Sequence, residues 1–200
     1  MTLLEQRPSE TFREACMPVL ETERLTLRAP CLEDAKAIAA LANDRRIAEN
    51  TRRIPHPYTL ADAEDFVAWS RKPGGEMARM IMLRDGTLVG GCGLGLLDGP
   101  APELGYWLGV SYWGHGYATE AVRALIDYAF TELDHTALQA GTRVTNPASR
   151  RILEKCGFQW TGVGLCRIRA IASSAPIDLF RLDRGLWASL KAWGEVKRVA

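Results

Sequence analysis

The chain has almost no net charge to offer a partner. Its 25 Lys and Arg stand against 24 Asp and Glu, a formal charge of +1. A nucleic-acid-binding domain ordinarily carries a basic excess or stripe, so none is expected as a partner. No apolar run approaches the ~20 residues of a membrane-spanning helix. The N-terminal stretch carries charges where a secretion signal keeps an apolar core, so no membrane partner is expected either. The three histidines are scattered, and no metal site is expected. The five cysteines, Cys16, Cys31, Cys92, Cys156 and Cys166, are odd in number and lack C-x-x-C spacing. They read as partly buried thiols of a reducing cytoplasm rather than a disulfide framework. Internal repeats and low-complexity tracts are missing too.

What is present is enough for one core: 200 residues, 47% hydrophobic. We expect an extension over residues 1–20 and a single domain over residues 21–200. The most informative stretch is residues 110–121, VSYWGHGYATEA. Gly114 and Gly116 bracket one residue. Ala118, Ala121, Val122, Leu125, Ala129 and Phe130 then recur at helical spacing. Upstream, residues 103–110 (ELGYWLGV) are aromatic and β-favouring. A strand, a tight glycine loop and a helix N-terminus together make an anion site. Glycine lets the backbone approach a ligand, and the first helical turn offers N–H groups with partial positive charge. A diphosphate suits it. The Lys-Ser or Lys-Thr of a nucleotide P-loop is missing after Gly116, and Thr119 stands where a dinucleotide fingerprint keeps its third glycine. On this block alone, a turn that merely joins strand to helix stays open.

A second block is residues 146–158, NPASRRILEKCGF. Asn-Pro is a helix start, with Asn146 as cap and Pro147 in the first turn. Ser149 shares a helix face with Ile152, Leu153 and Cys156. A hydroxyl on an inward stripe needs a partner, which a local carbonyl would also supply. Together the two blocks resemble the GCN5-related N-acetyltransferases (GNAT), most closely the RimJ/RimL-like branch that acetylates protein N-termini and small amines. The resemblance spans residues 21–186. It implies a mixed α/β acyl-CoA N-acyltransferase fold, a mostly antiparallel twisted sheet of about seven strands flanked by about four helices.

The resemblance also implies acetyl-CoA as cosubstrate, with CoA as product. Its pyrophosphate loop would be Gly114, His115, Gly116, Tyr117, Ala118 and Thr119. Trp113 replaces the usual Gln or Arg there, which keeps the backbone donors and removes one side-chain contact. Asn146 would contact the cofactor arm and Ser149 would stand near the sulfur. Arg150 and Arg151 fall on the solvent side of the helix, and Arg151 is the candidate for the CoA 3′-phosphate.

Acetyl transfer to an amine needs a base for the ammonium, a hydrogen-bond donor for the thioester oxygen worth ~3–4 kcal/mol, and a proton for the sulfur. Glu103, opening the strand, is the candidate base, since the family commonly sets a carboxylate at this end of its fourth strand. Apolar aromatic surroundings would raise its pKa toward base work at neutral pH. A solvated acid is the plainer alternative. Glu120, in the first helical turn, is assigned to helix stability or to pairing with a loop. The oxygen's donor is expected among the backbone N–H groups of Leu108, Gly109 and Val110, where the family's fourth strand bulges and splays from the fifth. Gly109 fits such a bulge. In His115 the backbone N–H matters more than the ring. Cys156 is no nucleophile, because the family transfers acetyl directly.

In chain order we expect a strand at residues 24–28 and helices at 32–43 and 59–70, the second boxed by Thr59 and Asp62. A hairpin of residues 77–83 and 87–97 turns across Arg84-Asp85-Gly86. A strand at 137–144, a helix at 147–156, an antiparallel pair at 160–170 and 177–184, and a terminal helix at 186–193 complete the order. Acceptor recognition falls to residues 43–59, 97–102 and 167–177. The first of these holds Arg45, Arg46, Arg52 and Arg53, which disfavours a polyamine and favours an acceptor with an acidic group. The resulting expectation is a cytoplasmic acetyl-CoA-dependent N-acetyltransferase acting on a peptide N-terminus or a small amino compound. The rival is a non-catalytic acyl-CoA-binding sensor or scaffold, for which Glu103 and Ser149 would be dispensable. The extension and the tail residues Trp187 and Trp193 are the candidate surfaces of a homodimer.

Overall fold

The computed structural model describes residues 18–72, 77–95 and 101–196. Along them run β1 (Leu20–Glu21), β2 (Leu25–Arg28), α1 (Ala35–Ala42), α2 (Arg45–Ala48), α3 (Leu60–Ser70), β3 (Met77–Leu83), β4 (Leu88–Gly95), β5 (Glu103–Leu108), α4 (Tyr117–Thr131), β6 (Ala137–Arg143), α5 (Pro147–Lys155), β7 (Gln159–Ile168), β8 (Ser173–Asp183) and α6 (Arg184–Val196). The strands form one sheet in the order β1-β2-β3-β4-β5-β6-β8-β7. Every pairing is antiparallel except β5 with β6. This is the mixed α/β architecture expected, with β1 and α2 added. Neither is long enough for a hydrophobic period to show. The expected extension lies largely outside the described residues, as do Cys16 and residues 97–100 of the acceptor stretch. No helix among the described residues is long and apolar enough to cross a membrane.

Local chemistry sets the element ends. Thr59 and Asp62 close a reciprocal capping box on α3. The Arg84-Asp85-Gly86 turn reverses the chain with Gly86 at φ +87°. Asn146 accepts the Ser149 N–H at 3.1 Å and Pro147 opens α5. On α6, Trp187 packs on Phe130 with ring centroids 5.2 Å apart and donates to Asp127 Oδ1 at 2.8 Å, while Trp193 stays exposed.

The sheet separates two apolar layers. Leu104 and Leu108 of β5 join the α4 residues Ala118, Ala121, Val122 and Leu125 on one face. Trp107 packs with α1 and α3 on the other, around Ile38, Ala63 and Val67. Side chains alternate along a strand. Tyr106 therefore belongs to the α4–α5 face, and Glu103 to the α1–α3 face.

Candidate active site

The site begins as a parting of two strands. β5 pairs with β6 only at Glu103↔Gln139 and Leu104↔Ala140. Its ladder with β4 runs unbroken from Gly90↔Leu108 to Gly95↔Glu103, and the Gly109 N–H extends it to Val89 O at 2.9 Å. Bonded and non-bonded pairs alternate in an antiparallel ladder. The N–H groups of Leu104, Tyr106 and Leu108 therefore turn away from β4. Beyond Leu104 no β6 residue pairs with them, and Tyr106 and Leu108 aim their donors into a wedge. A cleft of about 960 Å³ crosses that wedge and reaches both sheet faces.

The geometry confirms the splay and corrects its details. Gly109 is not a bulge, and its N–H is spent in the β4 ladder. A Cβ there would stand 2.7 Å from Leu41 Cδ2 of α1, so a larger residue would displace that side chain. Val110 opens a 3-10 turn, Val110–Tyr112, and neither Val110 nor Gly109 lines the cleft. Leu108 does line it, and its carbonyl accepts the Trp113 indole N–H at 2.9 Å.

On the α4–α5 side lies the glycine loop. Gly114 and Gly116 hold φ +81° and +83°, a region in which L side chains are strained. α4 starts at Tyr117 with Gly116 as its cap and no capping side chain, so its first N–H groups are open to an anion. Gly114, Gly116, Tyr117, Ala118 and Thr119 all line the cleft. The His115 ring does not. It stacks on Tyr117 at 5.6 Å, and its carbonyl accepts from Arg24 at 3.0 Å. Arg24 escaped the sequence reading. Its guanidinium lies 2.7 Å from Glu120 Oε2 and 4.9 Å from the Tyr117 ring centre, which sets a cation beside the loop. Glu120 thus pairs with a loop, as expected. Burial pushes its carboxyl up, but hydrogen bonds from Thr22 and Arg24 outweigh this and hold it below the usual range.

A second feature missed from sequence stands next to that loop. The Tyr106 hydroxyl lies 2.8 Å from Ser149 Oγ, joining β5 to α5. Burial pushes the Tyr106 phenol up, so it keeps its proton. Ser149 therefore has the partner that an inward hydroxyl requires, and it lines the cleft together with Asn146. Of the two arginines on α5, Arg150 is tied to Glu154 at 2.9 Å and Asp178 at 3.3 Å, while Arg151 borders the cleft. Burial pushes the Cys156 thiol up to about 11, which suits a packing residue and not a nucleophile.

Glu103 enters the cleft from the opposite face. The cleft it enters is lined by Phe66, Trp69, Trp107 and Ile177, and the fold adds a cation beside the carboxylate. Arg52 Nη2 stands 3.3 Å from Glu103 Oε2. Gly141 of β6 lies alongside, where an added Cβ would be 3.8 Å from Oε1. The cleft thus has a carboxylate on one sheet face, a Tyr–Ser hydroxyl pair on the other, and backbone donors in the gap between them.

Comparison with known proteins places this splayed sheet in a class of acyl-group transferase. Residues 24–159 match the family model for the acetyltransferase (GNAT) domain. The uncharacterized N-acetyltransferase p20 of Bacillus licheniformis is 32% identical over 170 residues, covering 82% of this chain and 94% of that protein. Among solved structures, RimL, a ribosomal-protein alpha-N-acetyltransferase in complex with coenzyme A, shares the fold at TM-score 0.73 with 16% identity, over 83% of this chain and 98% of RimL. The spermidine N-acetyltransferase of Vibrio cholerae, solved with CoA and spermine, does so at TM-score 0.71 with 21% identity, over 84% and 99% of the two chains. The chain belongs to the GNAT family and is an N-acetyltransferase.

Proposed function

We propose that the protein transfers acetyl from acetyl-CoA directly to a primary amine, in the cytoplasm and in the manner of the RimJ/RimL-like branch. The acceptor is a peptide N-terminus or a small amino compound. One observation carries this reading: the wedge lies between Glu103 on one sheet face and the Tyr106–Ser149 pair on the other. The glycine loop fits the diphosphate of CoA, because both glycines hold left-handed backbone and the α4 N-terminus has no side-chain cap. Acetyl-CoA supplies an activated acetyl group as a thioester.

This chain's residues divide the remaining work. The backbone from Gly114 to Thr119 holds the diphosphate, Asn146 the pantetheine arm and Arg151 the 3′-phosphate. The Leu108 N–H meets the acetyl oxygen, where such a donor is worth ~3–4 kcal/mol. Glu103 takes the ammonium proton, directly or through water, so that nitrogen regains its lone pair. The adduct's nitrogen sheds its second proton as the carbon–sulfur bond breaks, and Ser149, hydrogen-bonded to the Tyr106 hydroxyl, passes a proton to the departing sulfur and regains one from solvent. This is the least demanding step, since a thiol of pKa ~8.5 leaves readily. A sensor would need the loop but neither proton-handling group.

The test is acetyl-CoA consumption, followed by chromatography, against peptides with varied N-termini, amino acids, polyamines and aminoglycosides. Turnover of peptides or amino acids is expected. Tight CoA binding without transfer to any of them supports the sensor instead, and failure to bind CoA contradicts the assignment of the loop.

A further inference from the structure

An anion-binding helix start is poorly served by a carboxylate of its own, yet Glu120 stands in the first turn of α4. Its charge opposes the diphosphate that the proposed function brings to the loop. Capping does not explain it, because no side chain caps α4. Both carboxylate oxygens are spent instead on the turn between β1 and β2. Oε1 accepts from Thr22 Oγ1 at 2.6 Å and from the Arg24 backbone N–H at 2.8 Å. Oε2 accepts from Arg24 Nε at 2.7 Å. The acid thus leaves the first N–H groups of α4 open and fixes Arg24.

What Arg24 holds in turn is a loop carbonyl. Its Nη1 donates to His115 O at 3.0 Å. A Cβ on Gly116 would meet Arg24 Nη2 at 3.3 Å, so the guanidinium lies against the loop backbone. A trans peptide is planar, and the His115 carbonyl and the Gly116 N–H point in opposite directions. Holding the carbonyl toward Arg24 therefore turns the Gly116 N–H away from Arg24, and Gly116 lines the cleft. We propose that Thr22, Glu120 and Arg24 form a clamp that presets the glycine loop for the diphosphate of CoA. Arg24 is then a positioning residue acting through the His115 carbonyl, not a ligand of the phosphates. The inference rests on the reading of the loop as the diphosphate site.

Such a loop gains from being held. Gly114 and Gly116 sit at positive φ, where glycine has more backbone freedom to lose than any other residue. Fixing their geometry before the ligand arrives lowers the ordering cost of binding. The Trp113 indole N–H is committed to Leu108 O at 2.9 Å, so the diphosphate depends on backbone donors and on their aim. The aromatic rings add a second restraint, with Tyr117 stacked on His115 at 5.6 Å and the Arg24 guanidinium 4.9 Å from the Tyr117 ring centre. Pairing with Arg24 also offsets the charge of Glu120, whose side chain is only 17% exposed.

The sign of one substitution tests the clamp on the full-length protein. Glu120→Gln removes a negative charge beside the diphosphate, so electrostatics alone would tighten CoA binding. The clamp predicts the reverse, because the amide cannot hold Arg24 as the carboxylate does. CoA affinity is measured by titration calorimetry, and that of pantetheine, which has no diphosphate, by competition against CoA. Glu120→Gln and Arg24→Gln should each weaken CoA binding on the order of 10-fold. The double variant should weaken it little further, since the two residues act as one unit. Pantetheine affinity should not move. Unchanged or tighter CoA binding in Glu120→Gln overturns the clamp, and so does a parallel loss of pantetheine affinity, which reports a disturbed fold. In those cases the loop stands as the diphosphate site as long as the wild type binds CoA more tightly than pantetheine. Equal affinity of the wild type for the two overturns the assignment of the loop, and the clamp with it.

Discussion

Tyr106 and Ser149 are 43 positions apart, and only the packing of β5 against α5 makes them partners. Tyr106→Phe retains the ring and removes the hydroxyl's contacts with Ser149, 2.8 Å to Oγ and 3.2 Å to the carbonyl oxygen. A bond of ~1 kcal/mol predicts kcat lowered about fivefold with CoA affinity unchanged. Ser149→Ala should cost more, and the double variant should cost little beyond Ser149→Ala, because the two hydroxyls act as one relay. Single-turnover kinetics with chromatographic detection read all three. Full activity in Tyr106→Phe would remove the relay. Ser149 itself was legible in sequence, because its offsets to Ile152, Leu153 and Cys156 place it on the inward stripe of a helix. Its partner was not, since no period links a strand residue to a helix that follows a whole βα unit later. The same holds for Glu103. Its candidacy came from its place in the chain, while a cation that meets its carboxylate, Arg52, comes from a loop between α2 and α3.

The glycine loop and the start of α4 were legible at the scale of an element, because the signal is local. Two glycines that need positive φ, followed directly by a helical period, leave few backbone alternatives. Gly109 shows where such reasoning fails. A glycine packed closely on Leu41 looks the same in sequence as one required by a bulge. Arg24, too, reaches the loop only through the fold, from the turn between β1 and β2. Gly116→Glu tests the element. A non-glycine residue at φ +83° costs ~1–2 kcal/mol, and a carboxylate there repels a diphosphate. CoA affinity by titration calorimetry should fall on the order of 100-fold or more, while the circular dichroism spectrum stays that of the wild type. Retained affinity would move the phosphate site elsewhere.

For the molecule as a whole, the decisive fact is topological. A sheet that pairs β5 with β6 at two positions and then parts turns an ordinary strand edge into a row of donors between two faces. Composition and periodicity indicate a mixed α/β chain but not this parting. It was expected only through the resemblance carried by the two motif blocks, because strand order is settled by contacts distant in sequence. The account stands on the claim that the two faces divide the labour, with proton removal on the α1–α3 side and cofactor binding on the α4–α5 side. Glu103→Gln separates them most directly, measured as acetyl transfer across pH 6–9 alongside CoA affinity in the same preparation. The account predicts kcat lowered on the order of 100-fold, the usual contribution of a general base, with CoA bound as tightly as by the wild type. Undiminished turnover across the neutral range, or a parallel loss of CoA binding, would contradict it.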